Sequence, residues 1–311
     1  MRFLDSIDRE AIAGLLQGDE YFWLDLTDPG EDDVATLGEL FSFHPLALED
    51  LAKRGQRPKL EDFGEYTFLV YYGAGAAKDG TIELEEVHAF LSGGYLVTSH
   101  QRHSAALQEA RQRFDAQTPS SEQFVIYRVL DGLTDSFFPI LDRLDDRMEQ
   151  LDEEIFTRPQ PQQLEEITAL RRELVGLRRV VTPQRDLLAR GIDDILEIPG
   201  LEADSRDYFR DVYDHAIRIS DQIDSYRDLL TGSRDAYLSV VSNRLNQITK
   251  QLTVVATIFL PLSFIVGFFG QNFGWLIVNI DSAAAFFVFG VGSLMLSVLA
   301  LFLWFRRGSY I

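Results

Sequence analysis

Hydrophobic residues are distributed very unevenly along this chain of 311 residues. Leu252–Gly270 is an uncharged apolar run of nineteen residues, and a second apolar run covers Ala283–Phe305. A helix rises ~1.5 Å per residue, so the first run would be about 28 Å long, close to the ~30 Å thickness of the hydrocarbon layer of a bilayer. The pattern therefore predicts a hairpin of two transmembrane helices, over about 252–270 and 283–305.

Upstream of this hairpin, apolar residues recur three and four positions apart, which is the period of long helices that pack together. The three series are Phe137–Ile155, Leu164–Val181 and Phe209–Leu230. No proline interrupts residues 201–260, so the third helix is predicted to run into the first span, from Asp204 to Gly270.

The first hundred or so residues show shorter apolar and β-branched runs, separated by glycine and charged turns, which indicate strands. The predicted strands are Tyr21–Leu26, Thr67–Tyr72, Val87–Leu91 and Tyr95–Ser99. The pair Gly93-Gly94 predicts a hairpin turn between the last two strands. Helices are predicted after Asp28-Pro29 and over Pro45–Lys53.

Together these patterns predict a membrane protein of the α+β class with three regions. Residues 1–120 are expected to form an α/β domain, residues 121–250 a stalk of long helices, and residues 251–311 the two-helix transmembrane domain. The N-terminus lacks the continuous apolar core of a signal peptide.

Positive charges beside the spans predict the orientation in the membrane. Arg244 and Lys250 precede the first span, Arg306 and Arg307 follow the second, and the connecting loop 271–282 contains neither Lys nor Arg. By the positive-inside rule both termini and the acidic domain are cytoplasmic. The chain is therefore predicted to be a multi-pass protein of the cell's inner (cytoplasmic) membrane, in contact with membrane lipids.

The net charge of the predicted cytoplasmic part limits the kinds of partner that it can bind. Only one of the 49 acidic residues and three of the 29 basic residues lie from Lys250 onward, so residues 1–249 carry 48 acids and 26 bases. This excess argues against nucleic acid, whose phosphates require Lys and Arg, and favours solvent or divalent cations. Because the chain contains no cysteine, disulfides and thiolate metal sites are excluded.

The first span carries small and polar residues that a simple anchor does not need. Seven residues fall within an arc of roughly 120° at ~100° of rotation per residue. They are Asn246, Thr249, Leu252, Ala256, Leu260, Ser263 and Gly267. This stripe is typical of helix packing in membranes, and it is equally typical of a pore lining in which several copies of the helix surround a water-filled path.

Four stretches, taken together, resemble the CorA-type divalent cation channels, the two-span Gly-X-Asn family. They are His44–Asp50 (HPLALED), Arg57–Lys59 (RPK), Tyr208–His215 (YFRDVYDH) and Tyr237–Asn272, in the order of the family and over nearly the whole chain. The resemblance implies a funnel-shaped homopentamer whose long helix lines the pore. It also favours the pore interpretation of the stripe.

The resemblance assigns the selectivity filter to Gly270, Gln271 and Asn272, and a second pore asparagine to Asn246. A ring of neutral amide oxygens suits Mg²⁺, which sheds water reluctantly and is bound through its water shell. Gln271 stands where the best-known magnesium members have methionine, so Mg²⁺, Zn²⁺, Co²⁺ and Ni²⁺ all stay open as substrates.

The resemblance further implies that intracellular Mg²⁺ closes the channel by binding between neighbouring subunits. Asp50 and Asp211 match the acidic pair that would share this regulatory ion. Two carboxylates from adjoining subunits repel each other, and a divalent cation relieves that repulsion. Mg²⁺ is therefore expected both as substrate and as regulatory ligand, with no organic cofactor.

Two alternatives to a passive channel remain at this stage. The first is a proton-coupled Zn²⁺ transporter of the ZntB type, although neither span contains a charged residue to relay protons. The second is a membrane-anchored sensor or scaffold. No phosphate-binding loop, nucleophile elbow or HExxH motif indicates an enzyme.

None of the five histidines is predicted to bind metal. His44 is expected to pack or cap at the start of its helix. His100 and His103 follow a strand, where a surface or turn position is expected.

Overall fold

A computed structural model of the chain describes residues 1–77, 80–116, 122–198, 206–279 and 282–307. The chain divides into two compact units, Met1–Ala236 and Tyr237–Ile311. The first unit contains β1 Arg2–Leu4, α1 Arg9–Leu16, β2 Phe22–Thr27, α2 Glu31–Phe41, α3 Pro45–Ala52, β3 Lys59–Asp62, β4 Thr67–Ala76, β5 Ile82–Leu91, β6 Tyr95–His100, α4 Ala105–Ala116, α5 Glu122–Asp135, α6 Phe138–Thr157 and α7 Pro161–Leu196. Helix α8 Arg206–Phe269 begins in the first unit and ends in the second, which continues with α9 Gly274–Asn279, α10 Ala283–Ala285, a π-helical segment Phe286–Val291 and α11 Gly292–Arg307.

The strands form one mixed sheet in the order β1-β2-β6-β5-β4-β3. Strands β1, β2 and β6 run parallel, and β6, β5, β4 and β3 are antiparallel neighbours. The four predicted strands are confirmed, as is the hairpin turn at Gly93-Gly94, where Leu91 pairs with Leu96. The two edge strands, β1 and β3, are only three and four residues long. Short edge strands protect a sheet from pairing with another chain.

Each face of the sheet packs against different helices and loops. One face is aromatic: Phe43, which follows α2, stacks on Phe90 of β5 with ring centroids 3.8 Å apart. The other face carries Trp23 and Tyr71, and it belongs to one buried cluster with residues of α4, α5, α7 and α8 such as Leu133 and Phe209. Burial of both faces places the polar groups of this second face inside the first unit.

Helix α7 supplies a hydrogen-bonding partner where the edge strand is too short. The last residue pair between β3 and β4 is Lys59 with Val70, so the backbone of Tyr72 extends beyond β3. The side chain of Gln184 takes the missing place: its Oε1 accepts from Tyr72 N at 2.7 Å and its Nε2 donates to Tyr72 O at 3.2 Å. Gln184 is 2% exposed, so water does not reach the two Tyr72 groups in its place.

The long helices predicted from the heptad pattern are confirmed in α6, α7 and α8. Arg147 of α6 joins two acids of α7, with distances of 2.6 Å to Glu166 and 2.8 Å to Glu173. Helix α8 is continuous from Arg206 to Phe269, and the predicted start at Asp204 lies outside the described residues. The helix therefore runs without interruption through the first apolar run.

We expect Gln184→Leu to lower the free energy of unfolding by about 2 to 4 kcal/mol. The substitution leaves a buried N–H and a buried C=O of Tyr72 unpaired, each costing ~1–3 kcal/mol. Thermal unfolding of the full chain, followed by circular dichroism, measures the loss.

Gln162→Leu is the matched control, because Gln162 lies on the same helix but is exposed. It should change stability by less than about 0.5 kcal/mol. Equal losses in the two variants would contradict the role given to Gln184.

Candidate ion pathway and metal-binding residues

The predicted polar stripe lies on the uncovered side of the first apolar span. All seven of its residues are exposed. Within the same span the partly covered positions are Val254, Thr257, Ile258, Pro261, Leu262 and Ile265. At ~100° per residue the centres of these two sets are about 155° apart around the helix. The stripe therefore faces away from the contacts that the second unit makes within itself.

The covered side faces the second apolar helix. Leu262 and Val266 of α8 line an apolar groove of about 620 Å³ together with residues such as Leu294, Val298 and Phe302 of α11. Helices Arg206–Phe269 and Ala283–Arg307 are each long and apolar enough to cross a membrane. Pairing of the two spans uses one side of α8 and leaves the stripe to water, lipid or other copies of the chain.

The Gly-X-Asn segment begins where α8 ends. Gly270 N donates to Val266 O at 2.9 Å, which completes the last helical turn, and Gln271 N reaches Phe268 O at 3.4 Å. A Cβ added to Gly270 would lie 3.1 Å from Val266 O, so a larger residue would disturb this turn. Gln271 and Asn272 are exposed immediately beyond it. The structure therefore places an amide pair at the end of the stripe-bearing helix.

Asp50 lies in the first unit on α3 and already has a cationic neighbour. Lys59 Nζ is 2.5 Å from Asp50 Oδ2 and 2.9 Å from Glu61 Oε1, and all three side chains are partly exposed. Burial alone would lower the pKa of Lys59, but its hydrogen bonds to Asp50 and Glu61 outweigh burial and raise that pKa. Lys59 therefore stays charged and competes with any cation that binds at Asp50.

Asp211 lies at the start of α8 beside a cluster that the sequence analysis missed. Asp131 and Asp135 are one turn apart on α5, and His215 is one turn after Asp211 on α8. His215 Nδ1 is 2.8 Å from Asp135 and 3.9 Å from Asp131, while its Nε2 is 3.8 Å from Asp211. Within the described part of the chain, Asp50 is not a member of this cluster.

The cluster has the composition of a divalent cation site. Asp131, Asp135 and His215 each offer a ligand atom, and these atoms lie within 4.8 Å of one another. Burial, followed by the charge of Asp135, raises the pKa of Asp131. A divalent cation would offset both effects, because it favours the ionised carboxylate. The sequence signal that could have revealed the site is the i, i+4 spacing in each helix, although the two pairs are far apart in the chain.

A large pocket lined by both charged and apolar residues extends from Asp131 and Asp135 of this cluster. It has a volume of about 1150 Å³ and lies within the first unit, between the sheet and α4, α5 and α6. Its wall includes Asp131 and Asp135, the partly buried Glu85, and the segment Gln101–His103 that follows β6. Residues at the end of the sheet and two residues of the acidic cluster thus line one pocket.

The structure confirms two of the histidine predictions and contradicts a third. His44 is the N-cap of α3, and its Nδ1 accepts a hydrogen bond from Leu46 N at 3.2 Å. The surface or turn position expected for His100 is wrong, because His100 is the last residue of β6 and only 2% exposed. The reason is Asp25 of the neighbouring strand, whose carboxylate gives the buried imidazole a partner. His103 is exposed as expected.

The fold and these residues define a class of protein: an α/β unit is followed by long helices, the last of which continues as the first of two apolar spans. A family model described as "CorA-like Mg2+ transporter protein" matches residues 18–307. The chain belongs to this family.

Individual relatives agree with this assignment. The cobalt/magnesium transport protein CorA of Thermotoga maritima is 34% identical over 281 residues, which cover 88% of this chain and 80% of the relative. The zinc transport protein ZntB of Yersinia enterocolitica is 25% identical over 298 residues, covering 95% and 88% of the two chains. The complete CorA magnesium transporter structure from Methanocaldococcus jannaschii has a TM-score of 0.79 at 23% identity and covers 93% of this chain and 91% of its own. It shares the fold.

Proposed function

We propose that this chain forms a divalent cation channel of the cytoplasmic membrane that carries Mg²⁺, with Co²⁺ and Ni²⁺ as further substrates. The observation that carries the proposal is the exposed stripe on α8, opposite the side covered by the second span and ending at Gly270-Gln271-Asn272. Exposed hydroxyl and amide groups on a membrane helix require water or a partner. Copies of α8 around a water-filled axis satisfy this requirement.

A single α8 cannot enclose a pore, so the channel is an oligomer. The family resemblance supports a homopentamer, with both termini in the cytoplasm and only the short loop between the spans outside. Asn272 then forms a ring of amide oxygens at the outer end, and Asn246 a second ring near the inner end. Such rings bind hydrated Mg²⁺ through its water shell. Leu252 and Leu260 form apolar constrictions between them.

A proton-coupled Zn²⁺ transporter is the second candidate. The observations in its favour are the ZntB relatives and Gln271 in the middle of the signature. Neither span contains a residue that titrates and could relay protons. A membrane-anchored sensor or scaffold requires neither the stripe nor Asn272, because an anchor needs no polar face.

We expect proteoliposomes containing the full chain to take up Mg²⁺ down its gradient, and Asn272→Ala to reduce uptake by roughly tenfold or more. Removal of the amide ring takes away hydrogen-bonding partners of hydrated Mg²⁺. A tenfold reduction corresponds to a loss of about 1.4 kcal/mol in binding free energy. Uptake is measured with a fluorescent indicator for Mg²⁺, and in parallel for Zn²⁺, Co²⁺ and Ni²⁺.

Asn279→Ala is the matched control, because Asn279 is an exposed amide of the same region whose Nδ2 donates to Trp275 O. It should leave uptake unchanged. Absence of flux for every ion would defeat the channel proposal. Zn²⁺ uptake that rises with an imposed pH gradient, without Mg²⁺ uptake, would favour the coupled alternative.

We further propose that intracellular Mg²⁺ closes the channel by binding between Asp50 of one subunit and Asp211 of its neighbour. Support comes from the partial exposure of both carboxylates, 23% for Asp50 and 55% for Asp211, which leaves them open to a second copy. The buried Asp131 and the partly exposed Asp135 and His215 lie beside Asp211 and offer further ligand atoms. Lys59 competes with the Mg²⁺ ion, because its ammonium group forms an ion pair with Asp50 in the isolated chain.

Two opposite shifts in the closing concentration of internal Mg²⁺ are expected. Combined Asp50→Asn and Asp211→Asn should raise it, because the ion loses both charged ligands. Lys59→Met should lower it about fivefold, since a partly exposed ion pair is worth roughly 1 kcal/mol. Currents in excised patches, recorded while internal Mg²⁺ is varied, measure both shifts.

Lys53→Met serves as the control for Lys59→Met, because Lys53 is an exposed lysine that pairs with Glu49 one turn away. It should leave closure unchanged. If the double aspartate variant closes at the same Mg²⁺ concentration as the unmodified channel, the assignment of this pair is wrong.

A further inference from the structure

A chain of buried polar groups crosses the strands β2 and β6. Trp23 Nε1 donates to Thr98 Oγ1 at 2.7 Å, and Thr98 Oγ1 donates to Asp25 Oδ1 at 2.6 Å. His100 Nε2 lies 3.1 Å from the same carboxylate oxygen. Trp23, Thr98 and His100 are each no more than 2% exposed. The Asp25 side chain is 22% exposed, so the network is largely buried, meets solvent at this carboxylate, and is coupled to an indole ring.

The partners of His100 determine its protonation state. Nε2 faces the Asp25 carboxylate, and Nδ1 faces the backbone carbonyl oxygen of Arg102. Asp25 Oδ1 already accepts from Thr98, and a carbonyl oxygen can only accept. Both ring nitrogens must then donate, and an imidazole with two N–H groups is the positively charged form.

The surrounding charges stabilise this cation. Asp25 faces it from β2 and Glu85 from β5, while Arg102 and His103 follow it in the chain. The guanidinium of Arg102 is itself paired with Glu83, and His103 is exposed. Burial alone would lower the pKa of His100, but the hydrogen bond and charge of Asp25 outweigh burial and raise it. Two acids within reach make the site favourable for a buried positive charge.

The bond to Arg102 fixes the segment that connects β6 to α4. Gln101–Ser104 lies between the two elements, and Ser104 Oγ accepts from Leu107 N at 3.1 Å in the first turn of α4. Arg102 and His103 of this segment line the same pocket as Asp131 and Asp135. A change in the segment therefore reaches the space in front of the acidic cluster.

We propose that His100 is a proton-binding site of the first unit, and that loss of its proton releases the carbonyl of Arg102 and loosens Gln101–Ser104 beside the acidic cluster. A neutral imidazole has one N–H, so one of its two hydrogen bonds must be lost when the proton leaves to solvent. Because the folded pKa is raised, the stabilisation is complete below the ordinary pKa of about 6.5 and is lost as pH rises through the folded value. The effect on transport rests on the proposed function, whereas proton binding does not.

Trp23 reports the protonation of His100 through Thr98 and Asp25. The chain has three tryptophans, so Trp275→Phe and Trp304→Phe in the full-length protein leave Trp23 as the only indole. Its fluorescence, titrated from about pH 5.5 to 9, should show one reversible transition with a midpoint above about 6.5. His100→Gln should abolish the transition, and His103→Gln, the matched control at an exposed histidine, should retain it. A transition that survives His100→Gln, or no transition in the parent, would overturn the proposal.

A second measurement needs no substitution at His100. Exchange of the imidazole C2 hydrogen for deuterium, followed by mass spectrometry of the unmodified full chain, gives the pKa of each histidine. His100 should exchange far more slowly than the exposed His103, and its pKa should lie above the ordinary value of about 6.5. Exchange at His100 as fast as at His103, with a His100 midpoint at or below about 6.5, would contradict a buried imidazolium, even if His100→Gln failed to fold.

The regulatory half of the proposal is tested by Mg²⁺ closure at several internal pH values. The closing concentration should change across the His100 transition in the parent and in His103→Gln, but not in His100→Gln. A Trp23 transition without any pH effect on closure would overturn the regulatory half alone. Absence of flux in the unmodified protein would defeat the proposed function, while the fluorescence result would still decide whether His100 binds the proton.

Discussion

Hydrocarbon offers no hydrogen-bonding partner to a backbone group, and the second unit is built around that constraint. Each of the two apolar helices forms its backbone hydrogen bonds internally. Side chains of α11 cover one side of α8. The remaining side carries hydroxyl, amide and glycine positions that such packing leaves uncovered. The oligomeric channel proposed above would account for both sides of α8, with Gly270-Gln271-Asn272 at its outer end.

The same need to pair buried polar groups organises the first unit. Gln184 completes the hydrogen bonding of Tyr72 where β3 ends, and Asp25 provides the partner for His100 inside the sheet. Asp131 lies among other ionisable groups, and burial together with the charge of Asp135 raises its pKa. A bound divalent cation stabilises the ionised form of such acidic groups, and without the cation the carboxylates repel one another. In the closing mechanism proposed above, this property would let the domain respond to the transported ion.

Sequence periodicity was sufficient to predict the long helices, the two spans and the four central strands, because each is long enough to show its period. It did not reveal β1 and β3, which have three and four residues and depend on neighbouring strands. Residues far apart in sequence were also beyond its reach: His215 meets Asp131 and Asp135 only through the packing of α8 on α5. His100 was misplaced for the same reason, since its burial depends on Asp25. The ion pair between Lys59 and Asp50 likewise depends on the fold, because it joins a strand to a helix nine residues earlier in the chain.

Because the chain contains no cysteine, single cysteines can be introduced without background, and their reaction with a membrane-impermeant thiol reagent tests the pore most directly. Cysteines at Thr249, Ala256 and Ser263 sample the stripe, and cysteines at Val254 and Ile265 sample the covered side. We expect the three stripe positions to react and their modification to block Mg²⁺ flux, while the two covered positions do not react. Equal reactivity on both sides, or reaction only at the covered positions, would contradict a pore lined by this face of α8.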